Sequence, residues 1–137
     1  MTEKIIKIEN VHDFKLAEGD TKSYWEKYDG YKITTNSREL YLLIDNGQSC
    51  CEDWGYFESN DEDFIYYENS ELLNVSVVDT ALNKEYLVDG ISESDAMFVN
   101  LETSKGVLQL AVYNSHNGYY GHTVLFKQND KWEESTL

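Results

Sequence analysis

The segment Cys50-Cys51-Glu52-Asp53-Trp54-Gly55-Tyr56 places two thiols beside two carboxylates and an indole, so it is where the chain comes nearest to reactive chemistry. Neighbouring residues of an extended strand point to opposite faces, so the two Cys can ligate one metal only where the backbone breaks. Even then the set needs His116 or His122 to complete it. A site of zinc type built from Cys50, Cys51, His116 and His122 is one alternative, but the paired Cys-x-x-Cys spacing of dedicated zinc sites does not occur in the sequence. The other alternative is one buried and one half-buried structural Cys, since free Cys is among the most buried residue types. A reactive thiolate needs cationic neighbours, and Glu52 and Asp53 work against it.

Other arrangements that could do chemistry are weaker. Asn60-Asp61-Glu62-Asp63 has the acid density of a calcium loop, but Tyr66 stands where the sixth-position Gly of an EF-hand should be, counting from Asp61. Ser115-His116-Asn117-Gly118-Tyr119-Tyr120-Gly121-His122 gathers two of the three His near one turn; its polar side chains could grip a small ligand or simply cap the turn. Gly118-Tyr119-Tyr120-Gly121 lacks the strand-to-helix context of a phosphate loop, and no Gly-x-Ser-x-Gly elbow occurs. No catalytic residue, no cofactor and no enzymatic activity are expected.

Charge points to binding instead. The net charge is −15, and residues 39–83 hold eleven acids with no Lys or Arg, whereas residues 1–38 balance seven acids with six Lys and one Arg. Glu52, Asp53, Glu58, Asp61, Glu62, Asp63, Glu68 and Glu71, interleaved with Trp54, Tyr56, Phe57, Tyr66 and Tyr67, form the candidate face for a basic protein surface. The same acids could instead serve only solubility. Carboxylates at alternate strand positions recur about every 6.7 Å, against one charge per about 1.7 Å along duplex DNA. Imitating nucleic acid would therefore take several strands or a loop. A field of this sign repels nucleic acid and anionic membrane, so direct contact with either is not expected.

These side chains must be positioned by a mainly β domain, with α+β as the alternative. Strand-like segments run over Lys4–Glu9, Tyr31–Thr35, Glu39–Asp45, Leu73–Asp79, Ala96–Glu102, Val107–Tyr113 and Tyr119–Phe126. In the last, Tyr120, His122, Val124 and Phe126 share one face and Tyr119, Gly121, Thr123 and Leu125 the other. Asn46-Gly47, Ser104-Lys105-Gly106 and Asn117-Gly118 stand at hairpin spacing, so the C-terminal third is expected to be a three-stranded meander. A short helix is expected within Asn60–Leu73 from the spacing of Phe64, Tyr67 and Glu71. The expected architecture is an antiparallel curved sheet or sandwich with at most one or two short helices. With no proline, linker or repeat, residues 1–137 are expected to form a single domain. No signal-peptide stretch or run of eighteen apolar residues occurs, and adjacent Cys cannot build a disulfide framework; a cytoplasmic location is expected.

Cys50-Cys51-Glu52 and the later Ser115-His116-Asn117-Gly118-Tyr119-Tyr120 before a terminal strand resemble the hallmarks of a group of small phage and prophage proteins of unknown function, over roughly residues 28–126. That resemblance carries no catalytic residue. It implies, by association, a phage-type inhibitor of a host nucleic-acid-binding defence enzyme, of anti-CRISPR or anti-restriction kind, acting as a nucleic-acid mimic in a basic groove in the host cytoplasm. The alternatives are a metal or small-ligand binder and an immunity protein against a basic toxin nuclease.

Overall fold

Leu40, Leu42 and Ile44 alternate with Tyr41 and Leu43 along Glu39–Asp45, and both sets are buried. A strand that is apolar on both faces needs cover on both, and so belongs at the centre of a layered structure. The structure, a computed structural model, describes residues 2–16, 27–47, 53–60, 62–87, 91–115 and 121–137. In chain order the strands are β1 (Ile5–Phe14), β2 (Tyr28–Thr35), β3 (Glu39–Asp45), β4 (Asp53–Glu58), β5 (Leu72–Val78), β6 (Ala96–Thr103), β7 (Gly106–Ser115), β8 (Thr123–Lys127) and β9 (Glu133–Thr136). They form two antiparallel sheets, β1-β2-β3-β8-β9 with β3 central, and β4-β7-β6-β5. Helical structure among the described residues is confined to short 3₁₀ turns at Phe64–Tyr67, Lys84–Tyr86 and Glu93–Asp95. No helix among them is long and apolar enough to cross a membrane.

The sheets face each other across one core. Ile5, Ile8, Tyr31, Leu42, Ile44, Val124 and Phe126 from the first meet Leu72, Val99, Leu101, Leu108, Leu110 and Val112 from the second. The opposite face of β3 is covered too: Tyr28, Tyr41, Leu43 and Leu125 form a second cluster under Val11, Phe14, Leu16 and Trp132. The second sheet also has an outer cover. There Gln109, only 1% exposed, donates to Thr80 O (3.0 Å) and Asn100 Oδ1 (2.8 Å) and accepts from Leu82 N–H (2.7 Å), pinning the 80–82 segment to β7.

Glycine is needed at Gly30, where β2 leaves no room for a Cβ against β3. With φ at +152°, a Cβ there would stand 2.1 Å from the Leu42 carbonyl oxygen.

Two expectations are corrected. The β6–β7 hairpin forms through Ser104-Lys105-Gly106, with Gly106 at φ +114°, but β8 does not extend it into a meander. Strand β4, which the sequence reading did not anticipate, occupies the other edge of β7, and β8 crosses to pair with β3. The alternation expected of β8 is observed, with Val124 and Phe126 in the intersheet core and Leu125 in the outer cluster. Asn46-Gly47 makes no hairpin either: β3 and β4 lie in different sheets, and the Asn46 side chain is instead bonded to Asp13 and Asp29. The short helix expected within Asn60–Leu73 is present as a single 3₁₀ turn, held to that length because Leu72 already belongs to β5 and Asn69 takes a positive φ of 67°. The Asn117-Gly118 turn lies outside the described residues.

Candidate functional site

β4 pairs with β7 from Asp53↔Ser115 to Glu58↔Leu110, which sends alternate side chains to opposite faces. Trp54 and Tyr56 pack on the intersheet core, while Phe57 meets Phe98 and Tyr113 on the outer face, with ring centroids 6.2 and 5.9 Å away. Trp54 stacks on His122 at 5.6 Å, and buried His122 bonds through Nδ1 to the Asp45 carbonyl. Trp54 and His122 thus sit in the packing that joins the two sheets.

Glu58 points inward from the same strand and takes a 2.7 Å hydrogen bond from the hydroxyl of fully buried Tyr31 in the facing sheet. Burial, and then the Glu58 charge, hold the Tyr31 hydroxyl well above its ordinary pKa, so it remains a donor. Tyr56 is raised as well, by burial first and then by Asp29 and Glu58.

Beyond β4 a side chain continues the ladder. The Ser59 N–H bonds Gln109 O, after which Asn60 Nδ2 donates to Val107 O (2.6 Å) and its Oδ1 accepts from Gln109 N–H (2.8 Å). Asn60 stands in for one more pair of strand peptides and fixes where the next acids emerge. Glu62 and Asp63 are exposed there, and Asp63 caps the following 3₁₀ turn through Ile65 N–H. Tyr56, Phe57, Glu58, Asn60, Glu62 and Asp63 line one open concavity of about 440 Å³. A second, of about 350 Å³, is lined by Ser59, Asn60, Glu62, Tyr67, Leu82 and Asn83, so Glu62 contributes to both. Three carboxylates and two aromatic rings, with no Lys or Arg in the lining, make the first concavity suited to a cationic side chain.

The expected face therefore divides. Asp53, Glu62, Asp63 and Tyr66 are exposed; Glu58 is half-buried and bonded to Tyr31; Tyr67 is buried in the core. Glu68 accepts from Ile8 N–H at 2.8 Å, and Glu71 bridges to Lys4 through the backbone. Lys105, from the β6–β7 turn, folds onto this end of the face: its Nζ donates to Tyr66 O and Glu68 O at 3.1 Å and lies 5.4 Å from the Tyr66 ring centroid. The region without Lys or Arg in sequence is thus partly compensated in space. Glu52 and Asp61, like Cys50, Cys51 and His116, lie outside the described residues.

The sequence reading missed Asn60 and Tyr31, which shape the concavity. It also missed a group elsewhere: His12, Asp13 and Asp29 bring potential metal-ligating atoms within 4.8 Å of one another. Only the adjacency of His12 and Asp13 could have hinted at it.

The fold and site define a two-sheet antiparallel β protein carrying an acidic, aromatic-lined concavity at the end of β4. The model of the family DUF7448, a domain of unknown function, matches residues 1–126, and the chain belongs to that family. Comparison with curated proteins and with solved structures finds no match.

Proposed function

We propose that this chain is a non-catalytic, phage-type inhibitor whose acidic face occupies the basic groove of a host nucleic-acid-binding defence enzyme, of the anti-CRISPR or anti-restriction kind. The observation that carries the proposal is the concavity in which Glu58, Glu62 and Asp63 meet Tyr56 and Phe57. A Lys or Arg side chain placed there would find carboxylates for its charge and ring faces for its stem. The phage association rests on the Cys50-Cys51-Glu52 and Ser115–Tyr120 resemblance alone. Within the face, Glu62 and Asp63 are the working charges, because Glu58 and Glu68 are already engaged inside the fold.

The test is displacement of labelled nucleic acid from a panel of purified CRISPR effectors, restriction nucleases and basic toxin nucleases, at low and high salt. The chain should displace it from one of them, less well at high salt. The Glu62→Lys/Asp63→Lys double variant should bind at least about tenfold more weakly while staying folded, its melting temperature falling only by the few degrees that loss of the Asp63 cap costs. Full affinity in that folded variant would overturn the site, and displacement from no member of the panel would overturn the function. Displacement from a toxin nuclease alone would replace the inhibitor by an immunity protein.

A further inference from the structure

β1 does not run straight to its end. Its register against β2 slips between Val11 and Phe14, and Asp13 takes a positive φ of 54°, which Asp tolerates better than most residues. The slip turns both His12 and Asp13 toward solvent, with side chains 75% and 47% exposed, beside Asp29 of β2, whose side chain is only 8% exposed.

Three donors converge on Asp29 Oδ1: Asp13 N–H at 3.0 Å, Asn46 Nδ2 at 2.9 Å and His12 Nδ1 at 2.8 Å. Asn46 Nδ2 also donates to Asp13 Oδ1 at 2.6 Å, fixing the second carboxylate. With Nδ1 carrying the proton that Asp29 accepts, His12 Nε2 is left as an acceptor, and it lies 3.3 Å from Asp13 Oδ2, itself an acceptor. Two acceptors at that distance are bridged by a cation, either a proton on Nε2 or a metal ion. Among the described residues, neither Asp13 nor Asp29 has a Lys or Arg ion-pair partner to supply one.

We propose that His12 Nε2 and Asp13 Oδ2 form a binding site for a divalent transition cation of the zinc or nickel class, oriented by Asp29 and Asn46. A metal about 2.1 Å from both atoms would subtend roughly 100° between them, within reach of either tetrahedral or octahedral coordination. Asp29 plays the positioning part of a carboxylate–histidine–metal arrangement: it fixes the tautomer and aims the other ring nitrogen at the metal. The exposure of His12 and Asp13 leaves the remaining coordination positions to water or to a ligand from another molecule.

The site lies on β1 and β2 and shares no residue with the concavity at β4, and its test does not depend on the proposed inhibitor function. The full chain is titrated with Ni²⁺ at near-neutral pH in about 150 mM salt with millimolar Mg²⁺, which occupies loosely attracting carboxylates. Binding is read by calorimetry and by the assigned His ring nitrogens in long-range ¹H–¹⁵N spectra. The His12 ring signals should shift or broaden before those of His116 and His122. Affinity should fall at least tenfold in His12→Gln and in Asp13→Asn, both at exposed positions with little bearing on folding. Asp29→Asn should weaken binding by about ten- to a hundredfold and change the His12 tautomer signature without removing a ligand. The proposal is overturned if the His12 ring is unaffected by Ni²⁺, if the metal settles on another His, or if His12→Gln binds as the parent does. A ring that keeps protons on both nitrogens throughout the titration would show that His12 only bridges two carboxylates as a cation.

Discussion

Replacing Tyr31 by Phe removes one oxygen and keeps the ring, so it isolates a bond that crosses the core to the acidic concavity. The ring should stay in place: it is fully buried and set edge-on to Tyr56 at 5.4 Å and to Phe64 at 6.2 Å. What is lost is a 2.7 Å hydrogen bond to the Glu58 carboxylate, and bonds to charged groups contribute about 1.5–3 kcal/mol. Glu58 is half-buried and lines an open concavity, so water can replace part of what it loses, which favours the lower half of that range, about 1.5–2 kcal/mol. For a chain of this length that corresponds to a fall in Tm of roughly 4–7 °C. Urea unfolding of Tyr31→Phe, Glu58→Gln and the double variant closes a cycle whose coupling should reach at least about 1 kcal/mol. Additive single effects, or a Tyr31→Phe variant melting within about 1 °C of the parent, would refute the claim that Glu58 is spent inside the fold. Glu58 would then rejoin Glu62 and Asp63 as a carboxylate free for a partner.

Gly30→Ala should cost about 3 kcal/mol or more, read by chemical denaturation, because a Cβ 2.1 Å from the Leu42 carbonyl oxygen forces the two central strands apart. Gln109→Ala should cost roughly 2–4 kcal/mol and raise hydrogen exchange at Leu82, since it leaves Leu82 N–H and Thr80 O without their buried partner. The pKa of Glu3 is lowered in the fold, mainly by the Arg38 guanidinium bonded at 2.7 and 3.0 Å, helped by Thr35 and Ser37 and opposed by burial. Its contribution is therefore complete above the ordinary glutamate range and lost as pH falls through the lowered folded-state value. The stability gap between the parent and Glu3→Gln, measured by urea unfolding from pH 7 to 3, should hold steady to about pH 5 and then close.

β3 was legible in the sequence to the residue, because five consecutive apolar positions leave a strand no solvent face, and the β6–β7 hairpin was legible from its Gly106 turn. β4 escaped notice because Asp53-Trp54-Gly55-Tyr56-Phe57-Glu58 reads as an acidic aromatic tract, and its strand character comes from β7 pairing with it 52 to 62 residues on. β9 carries no apolar residue at all, and its pairing with β8 leaves no periodic trace. The meander failed because adjacency in the chain was taken for adjacency in the sheet. For the site, acid density was visible in the sequence but the partition of acids was not. That Glu58 is engaged by Tyr31, Glu68 by Ile8, and Tyr66 by Lys105 depends on contacts spanning 27, 60 and 39 positions. The His12, Asp13, Asp29 and Asn46 group is drawn from β1, β2 and the residue after β3, and only the fold assembles it.

The crossing of β8 to β3 also sets the order in which the protein can be built. Ile44 pairs with Val124 and Asp53 with Ser115, so neither sheet can close until most of the chain is available. During synthesis the β1–β2–β3 hairpins can form early, yet the edge of β3 that β8 will cover, with Leu42 and Leu43 beside it, stays open until residues near 127 have emerged. Contacts this distant in sequence place folding on the millisecond-to-second scale rather than in microseconds. Over that interval an apolar strand with one open edge waits at the ribosome exit, which makes β3 a segment for a holdase chaperone to cover.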